Sequence, residues 1–336
     1  MISLQMKVAL LSGAAAYGDA GGHMEAIETH MSWVFLTRDR AYKLKKPVRF
    51  PYLDFSTLAL REVNCRAELT LNRRLAPGVY LRVTPLTFDE QDGLKLDGEG
   101  DVVDWLVVMR RLPADRMLDE LIAKGPLAAS DCERLACKLA SFYRDADRLS
   151  LSPPEYFRRL EAEQAENRII LTSRDFAVDH ARAPVVLERM ERWLATERPS
   201  LEARAAEGFL VDGHGDLRPQ HICFENGLEI IDCLEFSATL RQVDPVDELA
   251  ALSVECALLG ATTFGLALFT RVMDAGGAPR PERLFHLHSG RRAILRARLA
   301  LSHLLDPVPR QPERWEPLAT HYLKLAEKAL DKLDVG

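Results

Sequence analysis
Apolar and polar positions alternate through the first third of the chain. Glu-Ala-Ile-Glu-Thr (25–29) and Trp-Val-Phe-Leu-Thr (33–37) read as two strands around His30-Met31-Ser32. Arg38-Asp39-Arg40 then turns into a third strand over residues 41–46, stopped by Pro47. Side chains on a strand point alternately to its two faces, so Lys43 and Lys45 share one. Residues 54–75 change to a looser helical spacing (Leu58, Val63, Leu69, Leu71, Leu75), ended by Pro77-Gly78. A second strand pair follows at 80–86 and 101–111, across a Gly/Asp-rich turn. After Leu112-Pro113 the texture becomes helical. Residues 115–148 break near Gly125-Pro126, and 155–207 form a charged helical stretch divided by Pro184 and Pro199. Residues 246–333 are nearly all helix, with 249–269 read as one buried helix. The pattern predicts an α+β chain: a small strand-rich lobe with one main helix over residues 1–112, and a larger, mostly helical lobe over 113–336. A ligand is expected between the lobes, at the connector near Met109.

One stretch interrupts the helical part. Residues 211–236 hold a polar loop, His214 to Gln220, and two short apolar runs separated by Glu225-Asn226-Gly227. Asn-Gly between apolar runs signals a tight hairpin. Such a hairpin brings Asp216 and Asp232 to its open end, and paired carboxylates call for cations or a catalytic task.

Composition narrows the partners. The chain has 336 residues, 47% hydrophobic and 28% charged, which is ordinary for a globular protein. A net charge of −6 offers no basic face for a nucleic-acid backbone. Of the six cysteines none forms a Cys-x-x-Cys pair, which argues against zinc or a disulfide framework. Residues 1–16 faintly resemble a signal peptide, but their apolar run is short. Glu255 near the middle of 249–269 would be expensive in lipid. A cytoplasmic protein with no membrane partner is the expectation.

His214-Gly215-Asp216 followed by Ile230-Ile231-Asp232 resembles the catalytic loop and metal-binding motif of aminoglycoside phosphotransferases and their kinase-like relatives. ETHMSWVFLT…AYKLKKPV, together with HGDLRPQH, is similar to an uncharacterised bacterial branch of that group, over most of residues 25–305. The resemblance implies a two-lobed protein-kinase-like fold. It also implies an ATP-dependent phosphotransferase, using Mg²⁺, that acts on a hydroxyl of a small molecule.

Carried over residue by residue, Asp216 is the catalytic carboxylate, and Asp232 holds the metal that bridges the nucleotide phosphates. Arg218 either stabilises phosphate charge or anchors substrate. Ala41-Tyr42-Lys43 matches the Ala-x-Lys of the third kinase strand, where Ala41 leaves room for adenine and Lys43 reaches the phosphates. Lys45 is the competitor on the same face, and Glu68, with Glu62 second, is the acid expected on the lysine. Glu235 is either a second metal-side carboxylate or a helix-cap acid.

Two departures stand out. The usual Asn five residues after the catalytic Asp is His221, which points to a softer ion such as Mn²⁺, a single metal or a weak enzyme. No glycine-rich phosphate loop lies between the first strands. Thr29 and Ser32 are the candidate phosphate contacts there, and Gly18, Gly21 and Gly22 precede the first strand. Both departures favour the alternative, a pseudokinase-like binding or regulatory module. After the hairpin, Asp247 resembles the family's buried Asp that supports the catalytic-loop backbone.

Overall fold
A computed structural model describes residues 2–18, 22, 24–225 and 227–335; Gly21 and the Asn226 turn position lie outside them. Helix α1 (Leu4–Leu11) precedes strands β1 (Glu25–Glu28), β2 (Ser32–Leu36) and β3 (Arg40–Lys45). Two short strands follow, β4 (Arg49–Phe50) and β5 (Leu53–Asp54), then helix α2 (Leu58–Asn72). Strands β6 (Tyr80–Asp89), β7 (Gly93–Leu96) and β8 (Asp101–Arg110) come next. Six strands form one antiparallel sheet in the order β1-β2-β3-β8-β6-β7.

The remaining elements start with α3 (Leu118–Lys124), α4 (Ala129–Asp145), α5 (Pro153–Leu171), α6 (Arg182–Ala206) and β9 (Val211–Asp212). The hairpin is β10 (Ile222–Phe224) and β11 (Leu228–Ile230). It is followed by α7 (Ala238–Arg241), β12 (Gln242–Val243), α8 (Pro245–Leu258), α9 (Phe264–Ala275), α10 (Glu282–Ser302) and α11 (Trp315–Val335). Contacts divide the chain into two units, Met1–Met117 with His221–Leu240 and Leu118–Gln220 with Arg241–Gly336. The hairpin thus packs with the sheet and is not part of the helical unit.

In the sheet unit, strand alternation sorts the core into two faces. Ala41, Val107 and Met109 turn toward Cys65 of α2, with Val79 and Tyr80 beside them. Leu44, Phe35, Leu86 and Leu106 turn the other way, onto Leu11 of α1. Helix α1 was not legible as a helix. Its Lys7 is buried and donates to Asp104 at 2.7 Å, while Arg61 takes the other Asp104 oxygen at 2.7 Å.

In the helical unit, α10 packs against α5, α6, α8 and α11. Three sequence expectations change here, the first being that Pro153-Pro154 interrupts the helical pattern. Pro153 and Pro154 open α5, as proline does at a first helical turn, where no N–H is needed. Pro184 lies at the start of α6, and Pro199 sits inside that helix without dividing it. Residues 249–269 are two helices, because Gly260 adopts φ 95° between α8 and α9 and ends the first of them. All six cysteines are free thiols. Among the described residues no helix is long and apolar enough to cross a membrane.

Candidate active site
On β3 the face that carries Ala41 also carries Lys43 and Lys45, and both lysines reach Glu68 of α2. Lys43 Nζ lies 2.9 Å from Glu68 Oε1, and Lys45 Nζ lies 2.6 Å from Glu68 Oε2. Lys43 also donates to Asp232 Oδ1 at 2.9 Å, and Lys45 pairs with Glu235. Glu62, the other helix acid, is on the outer surface with Arg66. Two ammonium groups therefore meet three carboxylates in a largely buried cluster. Burial works against charge on Lys43, yet Asp232, Glu68 and Glu235 hold its pKa well above the ordinary value. Burial likewise opposes ionisation of Glu68, but its two lysines hold the carboxyl below its usual value. The excess negative charge falls on Glu235, whose carboxyl burial pushes up. Sequence reasoning expected Glu68 on the lysine and named Glu235 only as a metal-side or helix-cap acid, so it missed the Lys45–Glu235 pair.

The hairpin delivers Asp232 to this cluster. Its strands pair Ile222 with Ile230 and Phe224 with Leu228, and Ile231 N–H donates to His221 O at 2.9 Å. Asp232 then adopts φ 63°, the left-handed region that aspartate tolerates better than most residues. The Tyr80 hydroxyl accepts from Asp232 N at 3.1 Å, and Asn72 Oδ1 accepts from Cys233 N at 2.8 Å. Neither Tyr80 nor Asn72 was singled out from sequence. The Asp232 side chain stays 46% exposed, with His221 Nε2 3.5 Å from Oδ2. Glu235 is turned instead to Lys45, and its side chain is only 7% exposed.

A carboxylate that is partly exposed and held by a lysine fits a hard divalent cation that keeps water in its shell. Among the described residues no group of three or more His, Cys, Asp or Glu forms an all-protein metal cage.

Thr29 and Ser32 close the β1–β2 turn on each other. Thr29 Oγ1 donates to Ser32 O and accepts from Ser32 N, both at 2.9 Å. Lys46 fastens the same turn, donating from Nζ to Thr29 O at 2.7 Å. Ser32 is buried, whereas Thr29 is exposed. Ala41 pairs with Met109 across β3 and β8, and both are buried on the α2-facing side of the sheet.

The loop bearing Asp216 belongs to the helical unit. Glu248 of α8 is buried and accepts from His214 N at 3.0 Å and Gly215 N at 2.6 Å; the Tyr143 hydroxyl donates to it at 2.9 Å. Gly215 has φ 87°, a conformation that favours glycine immediately before Asp216. Asp216 N donates to His214 Nδ1 at 3.3 Å, and Arg218 Nη1 lies 3.8 Å from Asp216 Oδ2. Loop support thus comes from Glu248, where Asp247 was expected. Asp247 instead takes Arg292 at 2.7 and 2.8 Å and also pairs with Arg291. Burial would raise the Asp247 pKa, but the two arginines and His288 hold it well below the carboxylate range. The cap of α8 is Asp244, which accepts from Val246 N at 2.9 Å.

No protein-family model matches the chain. Uncharacterised proteins of Mycobacterium tuberculosis and Mycobacterium bovis are 30% identical to it over 282 residues, which is 81% of this chain and 53% of theirs. The chain spans about half the length of these curated relatives. Among solved structures, a choline/ethanolamine kinase family protein from Mesorhizobium loti matches with a TM-score of 0.58 at 17% identity, covering 99% of this chain and 100% of that one. A thermostable mutant of aminoglycoside phosphotransferase APH(4)-Ia matches with a TM-score of 0.55 at 10% identity, covering 94% and 96%. The chain has the α+β, protein-kinase-like fold of these phosphotransferases and choline kinases.

Proposed function
We propose that this chain is an ATP-dependent phosphotransferase that moves a γ-phosphoryl group to a hydroxyl of a small molecule. The observation that carries the reading is the Lys43–Glu68–Asp232 arrangement: an exposed carboxylate held by a lysine, which is itself fixed by a buried glutamate. Asp232 would hold Mg²⁺ or Mn²⁺, with His221 beside it, and Lys43 would take phosphate oxygens. A divalent cation held there would supply positive charge against the phosphates.

Asp216 would accept a hydrogen bond from the acceptor hydroxyl and so orient it. As the acceptor oxygen bonds to the γ-phosphorus, the bond to the β–γ bridging oxygen breaks and its electron pair leaves with ADP. The hydroxyl proton passes to Asp216. Glu248 keeps the loop backbone in place while this occurs, and Arg218 adds positive charge next to Asp216.

Binding of ATP with Mg²⁺ or Mn²⁺, measured by titration calorimetry, tests the reading. The expected result is metal-dependent binding lost in Asp232→Ala, and ADP release lost in Asp216→Asn. The rival, a binding or regulatory module of the same fold, is favoured by His221 and by the self-closed Thr29–Ser32 turn. Nucleotide binding without any turnover sensitive to Asp216→Asn would select that rival, and absence of nucleotide binding would refute the phosphotransferase.

A further inference from the structure
Asp216 has cationic company within its own unit. Besides Arg218, helix α10 carries Arg292 and Arg296 one turn apart on the side that packs against α8. Arg292 pairs with Asp247, next to the Glu248 that holds the loop, and Arg296 Nε lies 2.6 Å from Glu255 Oε1, two turns farther along α8. Asp216 is among the charges that act on Arg296.

The setting of Arg296 differs from that of an ordinary structural pair. Glu255 is buried, and its two oxygens accept from the Tyr322 hydroxyl at 3.0 and 3.1 Å. The Arg296 guanidinium sits 5.8 Å over the Tyr322 ring, so both α8 and α11 fix it from the inside. Yet 24% of the Arg296 side chain remains exposed. A buried carboxylate thus holds an arginine whose side chain keeps an exposed part. Arg218 is half-buried and, among the described residues, forms no ion pair other than the one with Asp216.

Resting on the reading of Asp216 as the residue that orients the acceptor, we propose that the acceptor carries an anionic group, a carboxylate or a phosphate, and that Arg296 binds it. Arg296 is then a specificity-determining residue. A planar guanidinium matches either anion through paired N–H donors. A cationic acceptor would instead bring its charge against Arg218 and Arg296, and Glu255 is already engaged by Arg296 and Tyr322. The hydroxyl to be phosphorylated and the anionic group must belong to one small molecule, so that binding at Arg296 orients the hydroxyl at Asp216.

Titration calorimetry on the full chain with ADP and Mg²⁺ tests this without requiring turnover. The probes are D-glycerate and glycerol 3-phosphate against ethanolamine and choline. The anionic probes are expected to bind at least tenfold more tightly than the cationic ones, and Arg296→Gln is expected to weaken them at least tenfold. Because Arg296→Gln strands Glu255, the double variant Arg296→Gln, Glu255→Gln is measured beside it. Arg296→Lys should restore part of the affinity. Tighter binding of ethanolamine or choline, binding of none of the four, or anion binding indifferent to Arg296 would each overturn the proposal. ADP release with the same compounds separates the two readings. Arg296-dependent binding without release counts against phosphotransfer alone, and release with a cationic acceptor counts against the anion site alone.

Discussion

Lys45→Met is the most informative single change in the sheet unit. The Lys45 side chain is fully buried, and its partners Glu68 and Glu235 are 1% and 7% exposed. Removing the ammonium leaves Lys43 alone against Glu68, Glu235 and Asp232. Stranding a buried carboxylate in this way costs about 3–5 kcal/mol, against roughly 0–1 kcal/mol for a surface pair. For a unit of this size the unfolding midpoint should fall by roughly 10 °C. The pH dependence follows from Glu235. Its pKa is raised in the folded protein by burial, and loss of Lys45 raises it further. A carboxyl raised on folding destabilises while ionised, so the deficit of the variant should narrow from pH 8 to pH 5. Adding Glu235→Leu removes the stranded charge and should return most of the stability, because Glu68 keeps Lys43 at 2.9 Å. Of the four tryptophans, Trp33 and Trp105 lie in the sheet unit, so denaturant unfolding followed by fluorescence in a Trp193→Phe, Trp315→Phe background reports that unit. A loss below about 1 kcal/mol, or a double variant no more stable than Lys45→Met, refutes the account of a cluster held by opposed buried charge.

Other outcomes follow from the same structure. Asp216→Asn should lower ADP release by about 100-fold or more with nucleotide affinity unchanged, as loss of a proton acceptor does; a parallel loss of affinity would instead indicate a binding role. Glu248→Gln weakens the hold on His214 and Gly215 and should cost about 1–3 kcal/mol, with faster amide exchange at those two positions. His221→Asn should shift the preferred cation from Mn²⁺ toward Mg²⁺, read from nucleotide affinity with each ion. Burial, opposed by Asp247, pushes the His288 pKa down from 6.5 to about 4. As pH falls from 6.5 to 4 the unfolded chain takes up a proton that the folded one refuses. That group alone should therefore lose about 3 kcal/mol, a slope absent in His288→Leu.

What was legible in the sequence follows the range of each signal. Strand alternation is local, so it suffices by itself to put Lys43 and Lys45 on one face, and the family resemblance put Glu68 ahead of Glu62 by its place near the end of the helix. The Lys45–Glu235 pair spans 190 positions and leaves no local trace. Asp247 and Glu248 are adjacent on α8, about 100° apart around the helix. Only packing decides which one faces the loop and which one faces the arginines of α10. The break at Gly260 was hidden by apolar residues that continue on both sides, since a hydrophobic run does not record φ. Pro199 lacks one backbone hydrogen bond, a local cost that the packing of a long helix tolerates.

Helix α2 touches the site at two successive turns, and that spacing makes its phase a mechanical standard. Glu68 sets both lysines, and Asn72, four residues later on the same face, sets the backbone just after Asp232. Neither contact can shift independently. Inserting or deleting one residue between β5 and α2 would rotate the helix by about 100° and withdraw both together. Residues 55–57 should therefore tolerate substitution far better than a change in length, and this short connector calibrates the placement of an aspartate more than 150 residues away.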